Sequence, residues 1–392
     1  MTVVEQVDTI KDRLMEIRAD FHSHPELSFQ EERTSRKIAE ILREVGLDEV
    51  DTSVAKTGVV GLLRGSGPGK TFALRGDIDA LPIQEENDVP YRSQNDGVMH
   101  ACGHDIHITS VLGAAMVLSK MRDRIKGNVK FVFQPAEEVA GGAKMMIEEG
   151  VLEKSPKIDA IIGVHVWPGL NAGTIGVKAG PAMAAMDKFE IVVTGPGGHG
   201  AKPNLTSDPV AASAQIITAL QTVVSRSINP IQPAVLSVCM IHGGDAFNII
   251  PREVRMVGTV RTLDEDVKAR LIDRAKAIVK GISEAMGVEC EFNYMDGCPA
   301  LINSPEMTKL VEKAGGAVVG SENVHQLEPS MGGEDFTYFA RAVPGAMFNI
   351  GSRDEEAGLT SQLHRPDLDV NAKTVTTGVA VLAQAALMFL DG

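Results

Sequence analysis

The stretch from Met99 to His107, MHACGHDIH, contains one thiol, three imidazoles and one carboxylate within nine residues. An apolar run over Ile108–Met121 follows at once and has the periodicity of a buried helix. Cys102 and His104 are two residues apart, so in an extended segment they would face the same side and could hold one metal ion or a pair. Taken alone, the stretch is equally consistent with a metal site and with a half-buried cysteine, an N-cap at Asp105 and solvated histidines.

Potential metal ligands also follow predicted strands elsewhere in the chain. The strand at Thr71–Arg75 is followed by Asp77 and Asp79, Val129–Gln134 by Glu137 and Glu138, Asp159–Val164 by His165, and Ala346–Ile350, after a longer loop, by His364. A single strand-terminal carboxylate or imidazole usually caps a segment or meets solvent. In an α/β sheet, however, the carboxyl ends of the strands border one crevice. We therefore expect an α/β sheet with a metal site at that edge.

The predicted elements divide the chain into two domains, as its length of 392 residues also suggests. Helices at Glu5–Phe21, Glu31–Val45, Gly141–Glu149 and Lys373–Leu390, with a further strand at Gly58–Leu63, belong to the α/β part. The insert has the order β-α-β-β-α-β, with strands at 188–194, 233–241, 253–261 and 288–294 and helices running from Pro209 to Ser225 and from Asp264 to Met286. This order is typical of a ferredoxin-like unit. We expect one domain from residues 1–182 and 297–392, and an inserted domain from residues 183–296.

The composition is that of an ordinary globular enzyme, with 44% hydrophobic and 23% charged residues. A net charge of −14 argues against nucleic acid or an anionic membrane as the main partner, because both need a cationic surface. The first residues lack a basic start followed by an apolar run, and no apolar stretch approaches the length of a membrane span. These features predict a cytoplasmic protein. Four cysteines in such a chain do not make a disulfide framework.

Five motifs resemble, in the same order, those of the binuclear-metal aminoacylase and carboxypeptidase family. They are RGDIDALP at 75–82, MHACGHD at 99–105, QPAEE at 134–138, GVH at 163–165 and GHGA at 198–201. The most similar branch contains amidohydrolases such as hippurate hydrolase, plant indole-acetyl-amino-acid hydrolases and bacterial N-acetyl-diaminopimelate deacetylases. The resemblance covers nearly the whole chain. It implies a mixed-sheet α/β catalytic domain like that of zinc exopeptidases, with an inserted ferredoxin-like α+β domain that acts as a lid and dimerisation domain.

The resemblance also implies a metal centre. Its ligands would be Cys102, His104, Glu138, His165 and His364, with Cys102 bridging two divalent ions. A thiolate and one carboxylate leave such a pair of ions net positive, able to activate water and to polarise an amide carbonyl. Thiolate and imidazole ligands favour zinc, cobalt, nickel or manganese over calcium or magnesium.

Further roles follow from the same resemblance. Glu137 would be the general base and Asp77 would orient a ligand histidine, whereas Asp79 either has a similar role or only forms a turn. In the inserted domain, His199 would reach the site of a neighbouring subunit to stabilise the oxyanion. Asn248 and Arg261 would hold the backbone and carboxylate of the substrate, or they are a turn residue and a surface charge. If these roles hold, the enzyme is at least a homodimer.

One departure from the family pattern identifies the branch. Arg75 stands where the carboxypeptidase branch has a metal-ligating histidine, and an arginine cannot ligate. Two smaller departures are Gly76, where this branch usually has alanine, and Gly333, where it usually has serine or alanine. Neither removes a catalytic group.

The resulting prediction is hydrolysis of an N-acyl amino acid to a carboxylate and a free amino acid. Water between the two ions would be the nucleophile, and Glu137 would transfer its proton to the leaving amine. Three alternatives stay open: a dipeptidase or carboxypeptidase of the same family, a non-catalytic member that binds metal or ligand, and a cysteine hydrolase with Cys102 as nucleophile and His104 as base. The residues leave the acyl group and the metal open.

Overall fold

The computed structural model describes residues 1–391, and we number their helices and strands in chain order. The strands are β1 (Glu49–Val54), β2 (Gly58–Arg64), β3 (Gly67–Asp77), β4 (Lys126–Gln134), β5 (Ala160–Asn171), β6 (Ile175–Val177), β7 (Gly180–Met183), β8 (Met186–Thr194), β9 (Gly198–His199), β10 (Ala234–His242), β11 (Ile249–Ile250), β12 (Glu253–Thr262), β13 (Glu289–Cys298), β14 (Leu301–Asn303), β15 (Val324–Gln326) and β16 (Gly345–Arg353). The helices are α1 (Val3–Asp8), α2 (Lys11–Ser23), α3 (Glu32–Glu44), α4 (His104–Lys120), α5 (Gly142–Glu148), α6 (Pro209–Ser227), α7 (Glu265–Met286), α8 (Pro305–Val319), α9 (Thr337–Ala342) and α10 (Ala372–Leu390).

The chain divides into two compact units, and an eight-stranded mixed sheet forms the centre of unit 1. Unit 1 comprises Met1–Gly180, Ile302–Glu328 and the chain from Asp335 onward. The strand order is β1-β2-β4-β3-β5-β16-β6-β15. Strands β4, β3, β5 and β16 are parallel neighbours, whereas β1, β2 and β6 add antiparallel pairs. Parallel strands are buried on both faces, which explains their continuous apolar runs. The predicted mixed-sheet α/β fold is confirmed.

Two apolar helices help to form the core of unit 1. Helix α4 is buried along nearly its whole length, and α10 packs against it and against α8. By length and composition α10 is apolar enough to cross a membrane, but 72% of that stretch is buried within the protein. Burial in the core therefore accounts for its composition, as it does for core helices of globular domains.

Unit 2 has the ferredoxin-like architecture that the order of elements predicts. It comprises Pro181–Leu301 with the short segment Pro329–Glu334, which lies outside the predicted inserted domain of residues 183–296. Its antiparallel sheet has the order β10-β12-β8-β13. Side chains of α6 and α7, among them Leu220 and Leu271, form one apolar cluster with strand residues such as Phe189 and Met256. Alternate residues of β8 and β12 enter this cluster, as the twofold repeat of a strand requires.

The structure corrects three local predictions. The helix predicted at Glu5–Phe21 is two helices, because the chain turns at Thr9, whose hydroxyl donates to the carbonyl of Gln6 at 2.7 Å. Strand β5 does not end before His165, because its pairing with β16 continues beyond that residue. The segment before α4 is a turn and is not extended, since Gly103 has a φ of 82° and serves as the N-cap in place of Asp105.

Candidate metal centre

The predicted metal ligands of unit 1 come from four separate segments of the chain. Cys102 precedes α4, His104 is its first residue, Glu138 follows β4, His165 lies in β5, and His364 lies in the loop between β16 and α10. The turn between the first two depends on Gly103, because a Cβ there would lie 3.0 Å from the Cγ2 of Val166 in addition to requiring a left-handed φ.

The structure brings all five of these side chains together. The Sγ of Cys102 lies 3.3 Å from Nε2 of His364 and 3.7 Å from Nε2 of His165. Oε1 of Glu138 lies 3.5 Å from Nε2 of His364 and 3.9 Å from Nε2 of His104. Donor atoms that share one tetrahedral zinc-type ion are roughly 3.3–3.8 Å apart, given bond lengths of about 2.0–2.3 Å. The observed separations are close to this range.

Cys102 belongs to two groups of donors. Its sulfur lies within 4.8 Å of donor atoms of His104 and His165, and within the same distance of donor atoms of Glu138 and His364. A ligand that belongs to two donor groups is the arrangement required for a thiolate shared by two ions.

Unpartnered polar atoms show that this donor set fits cations. Nε2 of His104 and Oε1 of Glu138 are buried without a hydrogen-bond partner. Such atoms are costly to bury unless something satisfies them. A divalent ion would satisfy the nitrogen and the oxygen that face the cluster, and the thiol, imidazole and carboxylate types suit zinc, manganese, cobalt or nickel. The residues present therefore fit two divalent ions.

Burial disfavours the charged forms of two of these ligands. It raises the pKa of the Cys102 thiol well above its usual value, and it raises the pKa of the Glu138 carboxyl to about 7 although His104 opposes the shift. Metal ligands bind in their deprotonated forms, so nearby cations would favour the thiolate and the carboxylate. The same raised pKa makes Cys102 a poor nucleophile for a cysteine hydrolase.

Asp77 makes its shortest histidine contact with His107, which is not one of the predicted metal ligands. Its Oδ1 lies 2.5 Å from Nδ1 of His107, whereas its Oδ2 lies 3.7 Å from Nε2 of His104. Nε2 of His107 accepts the N–H of Val166 at 2.8 Å, so Nδ1 carries the proton that is donated to Asp77. His107 therefore has no lone pair left for a metal, and burial lowers its pKa to about 4. Its spacing of three residues from His104 on one helix face is the sequence signal for this role.

The peptide at Val166 connects His107 to a predicted ligand. Nδ1 of His165 donates to the carbonyl of Val166 at 2.8 Å, which leaves Nε2 of His165 facing Cys102. A ligand histidine commonly has its second nitrogen fixed by a carbonyl or a carboxylate in this way.

Arg75 is fully buried and binds two carboxylates. Its guanidinium donates to Oδ2 of Asp77 and Oε1 of Gln134, both at 2.8 Å, and lies 3.3 Å from Oδ1 of Asp335. Burial opposes ionisation of Asp77, but Arg75 and the histidines outweigh it and hold the pKa of that carboxyl well below its usual range. Arg75 thus supplies positive charge to the carboxylates beside the cluster.

The three predicted substrate-binding residues belong to unit 2. His199 and Asn248 are neighbours there, because β9 pairs with β11 and the N–H of Gly200 donates to the carbonyl of Asn248 at 2.8 Å. Both are exposed. Arg261 lies on β12, where its guanidinium contacts the hydroxyl of Thr259 and the carbonyl of Val260. The substrate roles of all three stay predictions.

Comparisons with known proteins agree on one family. A model of Peptidase family M20/M25/M40 matches residues 73–388. N-acetylcysteine deacetylase of Bacillus subtilis is 41% identical over 379 residues, which cover 97% of each chain. N-acyl-L-amino acid amidohydrolase of Geobacillus stearothermophilus is 46% identical over 301 residues, 76% of this chain and 80% of the relative. Thermostable carboxypeptidase 2 of Saccharolobus solfataricus is 41% identical over 386 residues, 98% and 97% of the two chains.

A solved structure extends the similarity to the fold. The Bacillus subtilis YXEP protein, described as a dinuclear metal binding peptidase from the M20 family, is 37% identical and superimposes with a TM-score of 0.86. The match covers 98% of this chain and 99% of that protein.

Proposed function

Because this chain belongs to peptidase family M20/M25/M40, we propose that it hydrolyses the amide bond of N-acyl amino acids to a carboxylate and a free amino acid. It is a metal-dependent hydrolase with a binuclear centre. The main support for the proposal is that Cys102 belongs to two groups of metal-donor side chains and that the carboxylate of Glu137 lies beside them.

The residues of unit 1 have two roles in the proposed reaction, metal binding and proton transfer. When bound, two divalent ions supply an activated water and polarise the scissile carbonyl. We assign Cys102, His104, Glu138, His165 and His364 as their ligands. A carboxylate oxygen of Glu137 lies within 4.8 Å of donor atoms of His104 and Glu138, and the residue is 7% exposed. Glu137 takes the proton of the attacking water and passes it to the leaving amine, a role worth roughly 10²–10⁴-fold in rate.

Residues of unit 2 bind the rest of the substrate in this proposal. The guanidinium of Arg261 offers a planar pair of donors that suits the carboxylate of the amino acid. Asn248 binds the substrate backbone, and the exposed imidazole of His199 stabilises the oxyanion in a neighbouring subunit. A homodimer or a larger homo-oligomer is therefore part of the proposal, as are a cytoplasmic location and a small-molecule substrate.

One alternative within the family has support of its own. The similarity to a protein named thermostable carboxypeptidase 2 favours peptide substrates. Arg75, which cannot ligate a metal, speaks for the amidohydrolase branch instead. A non-catalytic role has no such supporting observation, because Glu137 accompanies the ligand set.

Assays with a small substrate panel separate these possibilities. Metal-depleted protein is given manganese, zinc, cobalt or nickel and incubated with N-acetylcysteine, N-acetylmethionine, hippurate, N-acetyl-diaminopimelate or a dipeptide. We expect metal-dependent release of the amino acid from at least one acylated substrate, with the dipeptide cleaved much more slowly. Faster cleavage of the dipeptide would favour the peptidase alternative, and turnover that ignores chelation would exclude the metal mechanism.

A further inference from the structure

Three consecutive backbone amides after β4 are bound by two buried carboxylates. The N–H of Ala136 donates to Oε1 of Glu31 at 2.9 Å. The N–H groups of Glu137 and Glu138 donate to Oδ1 and Oδ2 of Asp79, each at 3.1 Å. Glu31 is 0% exposed and Asp79 is 1% exposed. Hydrogen bonds to an ionised acceptor in a buried setting are stronger than ordinary backbone bonds.

The backbone in this loop has a conformation that needs such support. Adjacent residues of an extended strand face opposite sides, so Glu137 and Glu138 can face one site only if the chain turns between them. The turn is present, with the N–H of Ala140 donating to the carbonyl of Glu137 at 2.7 Å. Ala136 has a φ of 53°, in the left-handed region that residues with a Cβ rarely adopt. Such a residue persists only where its surroundings fix it.

Each of the two carboxylates also accepts a side-chain hydroxyl. Oδ2 of Asp79 accepts the hydroxyl of Ser28 at 2.7 Å, and Oε2 of Glu31 accepts the hydroxyl of Thr57 at 2.6 Å. Oδ1 of Asp79 also lies 3.3 Å from Nδ1 of His104, on the side of the ring away from Glu138. Asp79 thus contacts the backbone of Glu137, the proposed general base, and the backbone of Glu138, a proposed ligand. It also contacts the ring of a second proposed ligand, His104.

We propose that Asp79 and Glu31 are positioning residues that set the separation between the Glu137 and Glu138 carboxylates, with Asp79 also fixing the ring of His104. Neither would touch substrate or metal. The inference rests on the roles proposed above for Glu137 and Glu138. It gives Asp79 a function beyond that of a turn-forming carboxylate.

The two carboxylates differ in how they bind the loop, and this difference provides the test. Asp79 uses both oxygens on loop amides, so Asp79→Asn leaves one N–H facing an NH2 group. Glu31 uses one oxygen on the loop, so Glu31→Gln can keep an acceptor for Ala136 and turn its NH2 group to the hydroxyl of Thr57. The same chemical change is therefore harmful at one position and mild at the other.

The experiment measures Mn²⁺ binding to metal-depleted variants by calorimetry, together with kcat and KM on an N-acyl amino acid cleaved by the wild type. For Asp79→Asn we expect at least tenfold weaker binding of one ion and a kcat lowered about 10–100-fold, the range seen when residues behind metal ligands are changed. KM should change far less. Glu31→Gln should stay within about threefold of wild type, as should Ser28→Ala, which leaves both loop bonds of Asp79 intact.

The outcomes separate this inference from the proposed function. Equal damage in Asp79→Asn and Glu31→Gln, or unchanged Mn²⁺ binding and turnover in Asp79→Asn, would overturn it. If Asp79→Asn does not fold, Glu31→Ala tests the same loop from its other side, and it must weaken Mn²⁺ binding where Glu31→Gln does not. If the wild type cleaves no N-acyl amino acid, the proposed function fails, whereas the Mn²⁺ titrations still decide whether Asp79 positions the ligands.

Discussion

Replacing Glu137 with glutamine should lower kcat for N-acyl amino acid hydrolysis by about 10²–10⁴-fold while both metal ions stay bound. The amide has nearly the shape of the carboxylate but cannot take a proton from the attacking water. KM should change little, because the substrate does not depend on Glu137 for its binding. Steady-state kinetics and metal analysis of the same preparation measure the two effects together.

Two other glutamates provide the controls for this variant. Glu138→Gln alters a proposed ligand, so it should lose metal as well as activity. Glu148 is exposed on α5, where it lies 4.0 Å from Lys144, so Glu148→Gln should behave as wild type. If Glu137→Gln lost its metal, Glu137 would be a ligand. If it kept its activity, the base would be another group.

Replacing Cys102 with serine should lower activity by roughly 10³-fold or more, because it removes the ligand assigned to both ions. A serine hydroxyl is a much weaker ligand than a thiolate for zinc-type ions. We expect fewer than two ions per chain in metal analysis and a smaller rise in melting temperature on addition of Mn²⁺ or Zn²⁺, since bound ligands stabilise the folded state.

Cys239→Ser is the matched control, because Cys239 is an exposed thiol on β10 in unit 2. It should leave metal content and turnover unchanged. A Cys102→Ser protein that retained two ions would contradict the assignment of a shared thiolate. An inactive Cys102→Ser variant of an enzyme that chelators do not inhibit would instead indicate a thiol nucleophile.

The fold could be predicted because its determinants are local. Continuous apolar runs such as Val129–Gln134 indicate buried strands, and the order of elements from β8 to β13 is specific for a ferredoxin-like unit. The exact residues at which strands end are not determined by the local sequence. His165 was predicted to follow a strand but lies within β5, because the length of that strand depends on its pairing with β16, about 180 residues later in the chain.

The proposed metal ligands could be identified as candidates because side chains that can bind a metal follow predicted strands or precede a predicted helix, and the family resemblance then selected the set of five. The residues around them could not be identified in this way. Glu31 lies 105 residues from Ala136, whose N–H donates to it, and it is not part of any of the five motifs. His107 belongs to the opening stretch, but its hydrogen bonds to Asp77 and Val166 exclude it as a ligand, and only the structure reveals them. Assigning such residues requires contacts between distant segments.

The sharpest test of the binuclear mechanism is a titration of metal-depleted protein with Mn²⁺, with hydrolysis of an N-acyl amino acid assayed at every point. We expect no turnover without metal, activity that appears as two ions bind per chain, and loss of activity when a chelator removes them. Full activity in the metal-free protein, or an activity that is complete with a single ion per chain, would contradict the binuclear mechanism.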